Sequence, residues 1–132
     1  MVLKVSTENG RVPVTVVHAD GNIDSGSYET FLSGVENTIN GGARHLLIDL
    51  SHVPFVSSAG LRALNILLNQ LRVLAPDVSD EEMRRGINNG TYKSPHLKLL
   101  NPSKETMTTL DSSGFSMFIE IFHDLKSALA SF

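Results

Sequence analysis

The sequence predicts one α/β domain: a mixed, mostly parallel β-sheet of about five strands with an antiparallel hairpin at its edge, packed with about four helices. Three observations carry that expectation. Short apolar runs alternate along the chain with apolar stripes at helical spacing. The first two runs, Val2–Val5 and Val12–Val17, flank Glu8-Asn9-Gly10, and Asn-Gly between β-branched segments is a strong hairpin signal, because both residues tolerate positive φ. The later runs are separated by helical patterns, the crossover that parallel neighbours need. A chain of 132 residues is long enough to bury a core of its own, so residues 1–132 are expected to form a single domain with an insertion at 77–94.

Each element has its own signal. Pro13 cannot donate to a β-ladder, so it belongs at a strand start or a free edge. After the turn Gly21-Asn22-Ile23-Asp24, the residues Tyr28, Phe31, Leu32, Val35 and Ile39 make a helical stripe, which Gly41-Gly42 stops. His45 to Leu50 is a nearly continuous apolar run, as in a strand covered on both faces. Leu61, Leu64, Leu67, Leu68 and Leu71 form the second helical stripe, with Arg62, Asn65, Asn69 and Arg72 on the other side and Pro76 as the stop. His96 to Leu100 reads as a strand, and Pro102-Ser103 opens a helix through Met107 and Leu110. Phe115 to Ile121 reads as the last strand, and Leu125 and Leu129 belong to a closing helix.

The segment Asp77 to Ser94 interrupts this rhythm. Ser79-Asp80-Glu81-Glu82 fits a capping box and Arg84-Arg85-Gly86 a helix C-terminus, so one short helix and a polar loop, Asn88-Asn89-Gly90-Thr91, are expected. Val78, Met83 and Ile87 are its few apolar anchors. A tolerated surface insertion explains it more simply than a partner-recognition element, because loops absorb added length at little entropic cost.

Composition excludes several classes of function. Apolar residues make up 41% and charged residues 19%, which describes a globule and not a disordered segment. A net charge of -3 without a basic run argues against nucleic acid as a partner. No apolar stretch approaches the roughly 18 residues of a membrane span, and the start of the chain lacks the apolar region of a secretory signal. The absence of cysteine excludes disulfides and thiolate metal sites. A cytoplasmic domain is the expectation, with no nucleic-acid partner and no insertion into a membrane.

The junction Phe55-Val56-Ser57-Ser58-Ala59-Gly60-Leu61-Arg62 joins the central strand to the second helix. Read locally, its serines are helix caps, which accept a hydrogen bond from a free N–H of the first turn. The carboxyl end of a parallel strand is also where α/β sheets place ligands, and a helix N-terminus favours anions, including a phosphate carried by the protein itself. Catalytic and cofactor patterns are missing. The junction lacks the first glycine of a Gly-x-Ser-x-Gly elbow. His18, His45, His52, His96 and His123 show no ligand spacing, which favours structural histidines, and no phosphate-binding glycine loop occurs. No metal, no cofactor and no catalytic role are expected of the chain.

Leu47-Ile48-Asp49-Leu50 followed by Val56-Ser57-Ser58-Ala59-Gly60-Leu61 resembles the STAS domain, specifically the bacterial anti-sigma factor antagonists. Gly21-Asn22-Ile23-Asp24 is similar to that family's Gly-x-hydrophobic-Asp turn, and Leu99 to Ser103 with Leu110 and Gly114-Phe115 is similar to its fourth strand and third helix. The resemblance spans nearly the whole chain outside the insertion, through the order of the three motifs.

What the resemblance implies is a phosphorylation switch. The unphosphorylated antagonist binds a kinase-type anti-sigma factor and frees the sigma factor; phosphorylation of one serine at the start of the second helix abolishes binding. Aligning Gly60 with the family glycine puts the acceptor at Ser58, with Ser57 as second choice, and Asp24, Ser57, Ser58, Ala59, Gly60 and Arg62 at the partner-binding surface. ATP and Mg would be bound by the partner kinase, and a phosphatase is a further implied partner. Many members carry Asp before the acceptor, where this chain has Ser57. Asp111-Ser112-Ser113-Gly114 spells the Asp-Ser-Ser-Gly pattern more fully, but it follows a helix and precedes a strand, so its residues read as turn formers and Gly114 as a helix C-terminal residue. Two alternatives stand beside the switch: an unphosphorylated STAS scaffold in a stress-signalling or lipid-transport complex, and a small serine hydrolase.

Overall fold

The structure, a computed structural model, describes residues 1–75, 82, 84–85 and 93–132. Strand β1 (Val2–Asn9) pairs antiparallel with β2 (Pro13–Asp20). Helix α1 (Tyr28–Asn40) leads to β3 (Leu46–His52), and α2 (Ser58–Leu74) follows. Then come β4 (Leu97–Leu100), α3 (Lys104–Ser112), a 3-10 turn at Phe115–Met117, β5 (Glu120–Phe122) and α4 (Leu125–Ala130). The sheet order is β1-β2-β3-β4-β5, and every pair after the first is parallel. The expected α/β class, five-stranded mixed sheet and edge hairpin are therefore present, with the four α-helices just named packed against the sheet.

The two faces of the sheet are covered differently. On one face Val17, Ala19, Leu46, Ile48, Leu50, Leu97 and Leu99 meet the apolar stripes of α1 and α2: Phe31, Val35, Ile39, Leu64, Leu67 and Leu71. All of these are buried, which makes this layer the main hydrophobic contribution to stability. On the other face a smaller cluster of Val14, Val16, Leu47 and Leu100 packs under Ala128 of α4, with Leu129 and Phe132 against it. That helix is short, so it covers only part of the face. Lys98 is buried there, its ammonium donating to the Ser131 carbonyl at 2.9 Å and pairing with Glu120 at 3.3 Å.

Local details refine the expectations. Asn9 pairs with Pro13, leaving a three-residue loop, and Gly10 is not among the residues with positive φ. A methyl on Gly10 would instead lie 2.7 Å from the Leu129 carbonyl oxygen, so close approach of the C-terminal segment is what requires glycine. The expected last strand is split: Phe115 begins a 3-10 turn, and only Glu120–Phe122 pairs with β4. Gly114 takes φ +77 just past α3, the left-handed residue that ends many helices. Helix α2 stops at Leu74, with Ala75 already out of the helical region (φ -140, ψ 72) ahead of Pro76. Within the insertion Glu82, Arg84 and Arg85 are helical and exposed; the rest of that expectation, except Lys93 and Ser94, lies outside the described residues. Ser94 itself is 4% exposed, accepts from the backbone N–H of His96 and Leu97, and donates its own N–H to the Phe118 carbonyl, so it supports the start of β4.

Candidate functional site

The carboxyl ends of β2, β3 and β4 lie side by side, and the loops that leave them are stitched together. Ile23, in the loop after β2, forms a parallel bridge with Val56, in the loop after β3. Its N–H donates to the Phe55 carbonyl at 3.0 Å, and its carbonyl accepts from the Ser57 N–H at 2.9 Å. The β4 loop joins from the other side, where the Ser103 hydroxyl donates to the Pro54 carbonyl at 2.8 Å. Ser103 also caps α3 by accepting from the Thr106 N–H. Three separate turns thus hold one platform.

Gly60 explains how α2 reaches it. A Cβ at this position would stand 2.6 Å from Val56 Cγ1 and 2.7 Å from the Ile23 carbonyl oxygen. Only glycine lets the first turn of the helix press onto the bridged backbone. Gly21 serves the neighbouring turn differently, through a φ of +107 that L side chains rarely adopt.

The two serines of the junction have different surroundings. Ser58 is the first residue of α2 and is exposed. Ser57 occupies the N-cap position, yet its side chain makes no capping hydrogen bond. Its hydroxyl oxygen is buried and has no partner among the described residues. Capping, the local reading of these serines, is therefore not what the Ser57 hydroxyl does. Ala59 is half-buried, Gly60 is buried, and Arg62 is exposed four residues after Ser58, on the same side of the helix.

Asp24 shapes its own loop. Its Oδ1 accepts from the N–H groups of Gly26 and Ser27 at 2.9 and 3.2 Å, and its backbone N–H donates to the Ser27 hydroxyl. The carboxylate is half-buried next to the bridged Ile23, so it stands at the platform's rim.

Several residues at this end carried no site signal in the sequence. Phe55, between the stitched loops, leaves 42% of its surface exposed. Asn101 adopts φ +52, an uncommon backbone state for a residue other than glycine, and its side-chain amide donates to the Ser51 hydroxyl at 3.2 Å. The Ser51 hydroxyl in turn donates to Asp49 Oδ1 at 2.5 Å, and Asp49 Oδ2 meets His18 Nδ1 at 2.8 Å. A carboxylate only accepts, so Nδ1 carries the hydrogen, and in the neutral ring Nε2 accepts from the Ser6 hydroxyl at 3.2 Å. A polar chain thus runs from β1 through β2 and β3 to the residue that follows β4. Burial alone would push the Asp49 carboxyl up; the hydrogen bonds from Ser51 and His18 outweigh it and hold that carboxyl below its ordinary range. The available signal was Asp49, a lone acid within an apolar run.

The other candidates lie elsewhere. Ser112 and Ser113 end α3 and donate their hydroxyls to the Thr108 and Leu110 carbonyls, as turn formers do. His96 places its two ring nitrogens 3.0 and 2.8 Å from the Arg44 and Ala75 carbonyls, and His45 lies beside it with its ring near Phe132. The histidine that touches a carboxylate, His18, reaches Ser6 and not Ser57 or Ser58. Among the described residues no group of three or more His, Asp or Glu could hold a metal ion, and no helix is long and apolar enough to cross a membrane.

Comparison with solved structures places this architecture among known folds. A Thermotoga maritima protein described as a candidate anti-sigma factor antagonist superposes with a TM-score of 0.71 at 13% identity, over 96% of this chain and 90% of its own. An anti-sigma factor antagonist from Mycobacterium paratuberculosis gives 0.68 at 18% identity, over 98% and 93%. The anti-sigma factor antagonist SpoIIAA in its unphosphorylated form gives 0.67 at 16% identity, over 96% and 92%. The phosphorylated form of SpoIIAA, a Bacillus cell fate determinant, gives 0.61 at 16% identity, over 96% of each chain. No curated protein matches the sequence. The family model of the STAS domain matches residues 5–75, more than half of the chain, including β2, β3, α2 and the loops between them. This protein belongs to the STAS domain family.

Proposed function

We propose that the protein is an anti-sigma factor antagonist of the partner-switching kind. Unphosphorylated, it docks its loop platform on a kinase-type anti-sigma factor and so frees a sigma factor. The partner, which holds the ATP and Mg, then phosphorylates Ser58, and docking is lost until a phosphatase restores the hydroxyl. The working compartment in this reading is the cytoplasm, and the chain itself catalyses nothing.

The observation that carries this reading is the contrast between the serines: Ser58 is exposed on the first turn of a helix, while the Ser57 hydroxyl is buried. A kinase needs a reachable hydroxyl, and Ser58 offers one. A phosphate there would gain from the helix dipole, with Arg62 one turn away as a cation for it. Phe55 supplies an exposed aromatic anchor beside the acceptor, of the kind that concentrates binding energy at interfaces. Likeness in fold to proteins described as anti-sigma factor antagonists, including SpoIIAA in both phosphorylation states, supports the same reading.

The departure at Ser57, where many members carry Asp, favours the second reading, an unphosphorylated STAS scaffold. Incubation with the cognate histidine-kinase-like ATPase, ATP and Mg decides between them. Uptake of one phosphate on Ser58, with loss of the complex, supports the switch. A stable complex and no phosphate uptake supports the scaffold.

A further inference from the structure

Strand β1 forms one edge of the sheet, and nothing among the described residues pairs with its outer side. It is eight residues long, holds no proline and pairs with β2 without a bulge. Short length, proline and bulges normally blunt an edge, and β1 has none of these; its one edge lysine is Lys4. Two of its valines are also left in solvent, Val2 at 57% and Val5 at 53% exposure. An edge of this length and regularity is a template for another strand.

We infer that β1 pairs antiparallel with β1 of a second copy, joining two five-stranded sheets into one across a two-fold axis at Ser6. Charge and facing select the register. Leu3 lies against Gly34 of α1, so odd-numbered residues of β1 face the helices and even-numbered ones face the opposite side. Pairings that set even against odd residues would bring the helix layer of one copy beside the open face of the other. Of the pairings that keep the faces matched, centring on Lys4 sets lysine against lysine, and centring on Glu8 sets glutamate against glutamate. Centring on Val5 or Thr7 leaves both charges opposite neutral residues. Centring on Ser6 sets Lys4 opposite Glu8 of the second copy, twice per dimer. Neither residue has an ion pair among the described residues, so both are available. The same register sets Val5 opposite Thr7 and Leu3 opposite Asn9.

The axis runs through the sheet, so the two platforms point to opposite ends of the assembly and both stay open. The inference does not rest on the antagonist reading; dimerisation is measured on the protein alone.

The test is a charge swap read by sedimentation equilibrium. The unaltered protein should dimerise within the range up to about 1 mM, more weakly as salt screens the pairs. Lys4→Glu and Glu8→Lys each create two like-charged contacts and should raise the dissociation constant about ten-fold or more. The double variant Lys4→Glu with Glu8→Lys should return it to the original value. Hydrogen exchange of β1 amides should slow with concentration, while that of the α1 and α2 amides stays constant. A synthetic peptide of residues 2–10 should compete, and its charge-reversed form should not. A protein monomeric throughout that range would overturn the inference. So would a dimer indifferent to the single reversals, a double variant that fails to recover, or a charge-reversed peptide that competes equally. Circular dichroism of each variant separates loss of pairing from loss of folding.

Discussion

His18 Nδ1 donates to Asp49 Oδ2 at 2.8 Å, tying β2 to β3 through side chains at the very pair of residues that are in register on the two strands. Above this tie stand the bridged loops that hold the start of α2. The carboxylate is 13% exposed and carries hydrogen bonds from Ser51 as well, so one half-buried acid serves both the sheet and the platform.

That arrangement makes stability fall in acid. The Asp49 carboxyl is pushed up by burial but held below its ordinary range by Ser51 and His18, so the unfolded chain binds its proton at higher pH than the folded one. The stabilisation is complete above the unfolded value of about 3.9 and fades as pH falls through the lower folded value. Asp49→Asn removes the charge from this network and should cost about 1–3 kcal/mol at pH 7. Urea denaturation at pH 7 and pH 3 measures both quantities, and the gap between variant and parent should shrink at pH 3.

Gly60→Ala opposes two effects of known size. Alanine favours the helix over glycine by about 1 kcal/mol. The new methyl, however, would stand 2.7 Å from a backbone oxygen that cannot swing aside. Overpacking of this kind costs about 1–3 kcal/mol, and here it also pries α2 from the Ile23–Val56 bridge. The expected outcome is a net loss of stability in denaturant melts, with faster hydrogen exchange at the Ser57 amide.

Ser58→Ala should leave stability within about 0.5 kcal/mol, because the side chain is exposed and its removal strands nothing buried. Binding to the cognate anti-sigma kinase should then persist when ATP is added. Ser58→Glu should bind about a hundred-fold more weakly, since a charge at a docked surface meets desolvation and mismatch costs of several kcal/mol. Ser57→Ala should still take up phosphate. Titration calorimetry and intact-mass analysis measure these, and normal phosphorylation of Ser58→Ala together with none on Ser57→Ala would move the acceptor to Ser57.

Ser112 and Ser113 test the rule that context outranks spelling. Their hydroxyls are occupied by carbonyls of their own helix, away from the bridged loops. Replacing both with alanine should leave phosphate uptake and docking unchanged. Abolished phosphorylation in a folded double variant would transfer the switch to the end of α3.

The fold was legible because its signals are local and periodic. Val14 and Val16 against Val17 and Ala19, or the continuous run Leu46 to Leu50, state their burial through side-chain order alone. The split of Phe115–Ile121 was not legible, because a 3-10 turn and a strand accept the same apolar residues. Gly10 misled for a related reason. A glycine that yields to a distant backbone looks the same in sequence as one that turns the chain. Ser58 and Gly60 were singled out because one continuous segment resembles the family motif. Asn101, Ser51 and His18 were not, since their partners lie 50 or 31 residues away and no short pattern encodes such a meeting.

Lys98 carries one more consequence, in time instead of space. Its ammonium sits under the last helix and reaches the Ser131 carbonyl and hydroxyl, 33 residues further along. During synthesis β4 emerges well before those acceptors do. Until Ser131 has left the ribosome, a chain that docked β4 on β3 would hold a cation against an uncovered apolar face with Glu120 as its described counter-charge. The helix-covered layer can assemble as the chain grows, whereas the cover over Lys98 forms only when the end of α4 arrives. Trimming the chain at Asp124 should therefore yield a nascent-like state, with one layer formed and the other open to chaperones.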